Sequence, residues 1–258
     1  MVKKILSILV WVVTAAGIVT LFIFSRNSYL ETPLNAIDIQ LERAHDKGFI
    51  NVDSLQNDID KICHHNPKGK IGSIDMCKIE KHLHDNPWIE DASTYIDLDG
   101  ILHVNASEHE PVLRVYNRDG KSVYLTQNGK VVPISKAYTP RVLIANGHFN
   151  FPANSSMSDS TLQASGMVEA LHIHQAIQND KFLTASIGQI YRNKAGDFEI
   201  VVRDINAQVI VGDTCDIRNK LMKMKTFAQH KNGSEELRNY SKINLKYNNQ
   251  IVCTKKRK

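Results

Sequence analysis

The apolar positions of this chain change their period as it proceeds, and each change marks an element. Ile5 to Phe24 is an unbroken run of 20 uncharged residues. At about 1.5 Å per residue it is long enough to cross the roughly 30 Å hydrocarbon core of a bilayer as a helix. Ile37, Ile39 and Leu41 then alternate with Asp38 and Gln40 as a strand. Behind Asn51 as a cap, Val52, Leu55, Ile59 and Ile62 recur at helical spacing up to Cys63. After a loop over His64 to Gly72, Met76, Ile79 and Leu83 mark a second helix, capped by Ser73 or Asp75. The Asn86-Pro87 pair stops it, because proline disfavours helical geometry in the residue before it. Ala92, Thr94, Ile96 and Leu98 share one face of the next strand, Asp99-Gly100 supplies the positive φ angles of a tight hairpin, and Leu102, Val104 and Ala106 resume the apolar face on the return.

Beyond Pro111 the pattern turns mostly to strands. Val112 to Tyr116, Val123 to Leu125, Val131 to Ile134 and Arg141 to Ala145 are punctuated by Asp119-Gly120, Asn128-Gly129 and Asn146-Gly147. A helix is expected over Leu162 to Ile177, and another carries Ile217, Leu221, Met224 and Ala228. Between them lie strands at Ile187 to Arg192, Phe198 to Arg203 and Gln208 to Val211. The last expected strand, Ser241 to Cys253, places Ile243, Leu245, Tyr247 and Ile251 on one face. The fold class is therefore α+β: an N-terminal transmembrane helix, a small β-α-α-β-β domain with two helices on one face of a three-stranded sheet, then a mostly antiparallel β domain with two helices. The expected boundaries are 1–4 for a cytoplasmic tail, 5–24 for the span, 25–36 for a linker, 37–110 and 111–253 for the two domains, and 254–258 for a basic tail.

Charge refines the membrane reading. A cleavable signal peptide has an apolar region of only about 7 to 15 residues and then small residues at its cleavage site. Here Leu21-Phe22-Ile23-Phe24 stands in that place, so the span reads as an uncleaved anchor. Lys3 and Lys4 precede it, against Arg26 alone soon after it, which orients the N-terminus to the cytoplasm and the rest of the chain outside. The net charge of +5 includes six positive charges from Lys3, Lys4, Lys255, Lys256, Arg257 and Lys258; without them the body carries −1. A body so nearly neutral lacks the basic face of a nucleic-acid-binding domain.

No nucleophile elbow, His-Glu-x-x-His zinc motif or phosphate-cradling glycine loop occurs, and no catalytic residue, cofactor or metal ligand is assigned. Of the eleven histidines, His82 and His84, like His172 and His174, sit two apart on expected helices and face different directions. A solvated role is expected for nearly all of them. Asp97 and Asp99 read as turn formers rather than as a catalytic carboxylate pair. Outside the cytoplasm, Cys63 and Cys77, at facing helix ends, form a candidate disulfide that would contribute about 3 kcal/mol by loop closure. Two buried free thiols are the competing reading.

The most specific segments are Asn86-Pro87-Trp88-Ile89 leading into the Asp99-Gly100 hairpin, Glu110-Pro111-Val112-Leu113-Arg114, and Ile243-Asn244-Leu245-Lys246-Tyr247 with Asn249-Gln250-Ile251-Val252. Together with the leading span they resemble the bacterial cell-division family FtsQ, called DivIB in other lineages, over essentially the whole chain. The resemblance implies a POTRA domain at 37–110, an FtsQ-type β domain at 111–253, no catalytic activity and no cofactor. It implies a single-pass protein of the inner membrane at the division septum, with its C-terminal domains periplasmic. By the same resemblance, the end of the β domain binds FtsB, which comes with FtsL in a complex regulating septal peptidoglycan synthesis, and the POTRA domain recruits other divisome components. Partner binding then falls to Tyr247, Asn248, Asn249, Gln250, Ile251 and Val252, on an exposed edge strand that accepts a partner strand. The chain departs from the family at Asn244 and Lys246, where Asp and Arg are usual, and in a cytoplasmic tail of only four residues. The alternative reading is an envelope enzyme or a POTRA-containing outer-membrane assembly factor.

Overall fold

Between Gly17 and Pro33 the sequence contains neither glycine nor proline, so nothing local stops the first helix at Phe24. In the computed structural model α1 runs Val2–Leu30, through residues 25–30 that were expected to be linker. Its stretch Ser7–Leu30 is long and apolar enough to cross a membrane and is not buried by the protein. The structure describes residues 2–43, 47–64, 69–151, 162–163, 165–203, 205–230 and 237–256. Its chain divides into two units, Met1–His109 and Glu110–Lys258.

In the first unit β1 (Ala36–Glu42), α2 (Val52–His64), a 3-10 turn (Ile71–Ser73), α3 (Met76–His84), β2 (Ile89–Ile96) and β3 (Ile101–Glu108) follow α1. The sheet order is β1-β3-β2, with β1 parallel and β2 antiparallel to β3. Asn51 caps α2 by accepting from the Asp53 N–H, and Asp75 caps α3 by accepting from the Lys78 N–H. Leu55, Ile59, Ile79, Leu83, Ile89, Leu102 and Val104 are buried between helices and sheet. Leu98, expected on the apolar face of β2, is 86% exposed because the strand has already ended and the residue sits in the turn.

That turn uses a device that recurs. Asp97 accepts from the N–H groups of Asp99 and Ile101 while Gly100 takes φ +79°. Only the glycine is left-handed, so the Asp-Gly pair makes a longer bulged turn than the tight hairpin expected. Asn117 with Gly120 and Asn193 with Gly196 repeat the arrangement, and Thr126 with Gly129 does so through its hydroxyl. Each is an acceptor side chain three residues before a glycine.

The second unit begins with β4 (Pro111–Tyr116), β5 (Ser122–Thr126), β6 (Val131–Val132) and β7 (Leu143–Gly147). Helices α4 (Met167–Gln178) and α5 (Lys181–Ser186) come next. The chain continues with β8 (Ile187–Arg192), β9 (Phe198–Val202), β10 (Gln208–Gly212), α6 (Ile217–Gln229), β11 (Tyr240–Asn244) and β12 (Val252–Lys255). Among the described residues nine strands form one sheet in the order β12-β11-β10-β9-β8-β7-β4-β5-β6, mostly antiparallel, with parallel pairs at β4/β7, β7/β8 and β10/β11. Leu113, Val115, Met167, Ile173, Ile190, Ile200, Leu221 and Ile243 belong to one core shared by sheet and helices. Helix α5 was not expected: it is too short to show a period, and Asp180 starts it by accepting from the Phe182 and Leu183 N–H groups.

Two histidines depart from the solvated role. His109 is only 5% exposed, and His174 has both ring nitrogens buried on the face of α4 that also carries Leu171 and Ile177. Burial lowers the His174 pKa, with a smaller opposing hydrogen bond to Gln178. The polar loop Ala153 to Ser160 and the end of the basic tail, Arg257 and Lys258, lie outside the described residues.

Candidate interaction surface

The stretch Ser241 to Cys253, expected as one strand, is a hairpin. β11 ends at Asn244, residues 245–251 turn, and β12 returns antiparallel to β11, pairing Asn244 with Val252 and Ile243 with Cys253. Two causes explain the break. Asn249 takes φ +57°, a left-handed conformation that asparagine tolerates better than most residues. The Lys223 ammonium of α6 donates to the carbonyls of Leu245 (3.4 Å) and Tyr247 (2.6 Å), satisfying acceptors that a continued strand would have sent to a neighbour.

The expected partner-binding residues therefore divide. Tyr247, Asn248, Asn249, Gln250 and Ile251 lie in the turn and Val252 opens β12. Tyr247 is 49% exposed and Val252 43% exposed, whereas Ile251 is half-buried against the core and Leu245 is fully buried.

The turn is held by its surroundings. Besides the Lys223 bonds, Lys246 pairs with Asp197 of the β8–β9 turn at 2.8 Å, and that hydrogen bond raises the lysine's pKa above its ordinary value. The Lys246 stem lies over Gly212, where an added Cβ would stand 2.7 Å from Cγ of the lysine. Asn244 Oδ1 accepts from the Lys246 N–H. Between α6 and this turn is an open groove of about 1180 Å³, with Met222, Thr226 and Phe227 on one side and Asn248, Gln250 and Ile251 on the other.

Among the described residues β12 is an edge strand, paired only with β11. The Lys256 N–H bonds Asn239 O on the β11 side. By the alternation of an antiparallel strand, the N–H groups of Cys253 and Lys255 then point away from β11, while the Lys255 carbonyl is also within reach of the Ser241 hydroxyl at 3.4 Å. This surface can do what an open edge beside a groove allows: extend the sheet by one strand and seat apolar side chains beside it. Lys223, Met222 and the pair Lys246–Asp197 were not found by sequence reasoning. Met222 falls off the apolar stripe of Ile217, Leu221, Met224 and Ala228, a signal that could have marked it, but the ion pair spans 49 residues and carries no local signal.

Cys63 and Cys77 are free thiols. Cys63 is buried at the end of α2 while Cys77, in the first turn of α3, is exposed, so the two meet different surroundings. Among the described residues no group of three or more His, Cys, Asp or Glu side chains is arranged to hold a metal ion.

Residues 110–254 match the family model described as FtsQ/DivIB, C-terminal related, and residues 34–107 match a POTRA-like domain. No curated protein matches the chain.

Proposed function

Because the chain belongs to the FtsQ/DivIB, C-terminal related family, we propose that it is a scaffold of the bacterial division machinery that works by binding and not by catalysis. Helix α1 anchors it as a single-pass protein of the cytoplasmic membrane with both units outside the cytoplasm, at the division septum. The POTRA-like unit recruits other division proteins, and β12 binds FtsB, which comes with FtsL, so that the assembly regulates septal peptidoglycan synthesis. Confinement to the membrane raises the effective concentration of each partner without any chemistry.

One observation carries the reading: the unpaired edge of β12 beside exposed Tyr247 and Val252. Main-chain bonds to Cys253 and Lys255 supply affinity, and the aromatic anchor supplies selectivity. Gln250 lies ahead of β12, so a proline there leaves the ladder intact. Lys255→Pro is the sharper probe, because it removes an outward N–H and spares the bonds to β11. Binding of the full chain in detergent micelles to an FtsB-derived peptide tests this. Lys255→Pro should abolish measurable binding, and Tyr247→Ala should weaken it by about 2 kcal/mol. Parent affinity in both variants, with unchanged melting, would sink the proposal.

A further inference from the structure

One imidazole on the sheet of the first unit stands between two carboxylates. His103 of β3 lies in register with Asp38 of β1 and Tyr95 of β2, so the three side chains form a row across all three strands. Its Nδ1 is 3.2 Å from Asp38 Oδ2, its Nε2 is 2.9 Å from Asp97 Oδ2, and its ring stacks on Tyr95 with centroids 4.8 Å apart. Among the described residues, the charged groups bearing on the ring are these two carboxylates, Asp38 from β1 and Asp97 from the turn. A neutral imidazole has a single N–H, and only the imidazolium donates at both nitrogens. An acceptor at each end of the ring is thus a geometry made for the charged form.

The two carboxylates belong to the parts that hold the exit of α1. Tyr29, near the end of that helix, donates its hydroxyl to Ile96 O at 3.1 Å. The Asn35 side chain donates to Asp99 O at 2.6 Å and its backbone N–H to Gly100 O at 2.8 Å. At Gly100 a Cβ would stand 2.6 Å from Pro33 O, so the connecting segment lies directly on the β2–β3 turn. Asp97 is in that turn, and β1, which bears Asp38, begins at the next residue after Asn35.

We propose that His103 is a pH-sensitive latch: protonated, it ties the start of β1 to the β2–β3 turn and holds the exit of α1 against the sheet, and on losing its proton it releases the Asp38 arm. Asp97 keeps the remaining N–H because its bond is the shorter and its carboxylate is already fixed by the Asp99 and Ile101 N–H groups. The Nδ1 lone pair then faces Asp38, and the start of β1 loosens. Asp97, followed by Asp38, holds the imidazole above its ordinary range. The closed latch is therefore fully present below about pH 6.5, the unfolded histidine value, and is lost as pH rises through the higher folded value. The device sets how firmly the anchor and the POTRA-like unit are coupled, and it stands whether or not β12 binds a partner strand.

Backbone hydrogen exchange of the full chain in micelles, corrected for intrinsic exchange, tests the latch over about pH 5.5 to 8.5. Protection of the Asn35 amide should fall roughly fivefold or more across that range, with the same midpoint as the His103 ring resonance. The Ile79 amide inside α3 should show no such step. His103→Gln should give low Asn35 protection at every pH, and Asp38→Asn should remove the step while Trp88 fluorescence, read in a Trp11→Phe background, reports an intact unit. Should His103→Gln fail to fold, Asp38→Asn at the exposed end of the row carries the same comparison. Asn35 protection that is flat in the parent, or a step that survives in either folded variant, overturns the latch.

Discussion

Removing the Glu108 carboxylate should unfold the first unit well before the second. Glu108 closes β3 with a side chain only 4% exposed, and its two oxygens gather three donors: Arg43 Nε at 3.1 Å, the Ile50 N–H at 3.1 Å and the Phe49 N–H at 2.9 Å. Arg43 in turn donates to Ile50 O at 2.6 Å, and at Gly48 a Cβ would come within 2.6 Å of both side chains. Hydrogen bonds to a charged group contribute roughly 1.5–3 kcal/mol each, and unsatisfied buried donors add their desolvation cost. Glu108→Gln keeps the shape but turns an N–H toward one donor and withdraws the charge from Arg43, for a loss of about 3 kcal/mol. Glu108→Ala strands all three donors and should cost about 4 kcal/mol, within the range for breaking a buried pair. For a unit of this size 3 kcal/mol lowers the melting temperature by roughly 12 °C or more. Trp88, stacked on Phe49 with centroids 3.9 Å apart, is a built-in reporter next to the bonded Phe49 amide. In a Trp11→Phe background its fluorescence follows this site alone. Variants within about 0.5 kcal/mol of the parent would refute the clamp. Gly48→Ala, which crowds the same carboxylate from outside, should destabilise in parallel.

Three other outcomes are expected. Burial lowers the His174 pKa, so its stabilising neutral form is fully present above about pH 6.5 and is lost as pH falls through the lower folded value. His174→Leu should then flatten the acid limb of the second unit's denaturant midpoint, and an identical pH profile in parent and variant would contradict this. Gly196→Ala places a side chain at φ +90° with its nearest neighbour, Arg192, at an ordinary 3.7 Å, so its cost of about 1 kcal/mol should be purely conformational, read by urea denaturation. Asp180 caps α5 and pairs with Lys225 of α6 at 2.5 Å, the pair being the main cause of its lowered pKa. Asp180→Ala should lower the urea midpoint of the second unit more than Lys225→Met does, because it removes the cap as well as the ion pair, and equal losses in the two variants would contradict a capping role.

What the sequence by itself determined was whatever depends on neighbours along the chain. The uncharged run of α1, the helical spacing of Leu55, Ile59 and Ile62 behind Asn51, and the Asn86-Pro87 stop are local statements, because hydrogen bonds inside a helix join residues four apart. The alternation of Leu102, Val104 and Ala106 likewise declares a half-buried strand, and the Asp-Gly and Asn-Gly pairs mark where the chain turns, though not the bulged form the turn at Asp97–Gly100 takes. The family resemblance was legible for the same reason, in short runs at the ends of elements. Tertiary structure decided the rest. That Ser241 to Cys253 folds back into β11 and β12 depends on Lys223, whose ammonium arrives from α6 to satisfy the carbonyls of Leu245 and Tyr247. That His103 stands between Asp38 and Asp97 depends on the parallel pairing of β1 with β3, set by burial of one whole face and not by any motif. Cys63 and Cys77 illustrate the limit most simply: their spacing in the sequence is compatible with a bond, and that one thiol is buried and the other exposed is decided only by how α2 and α3 pack.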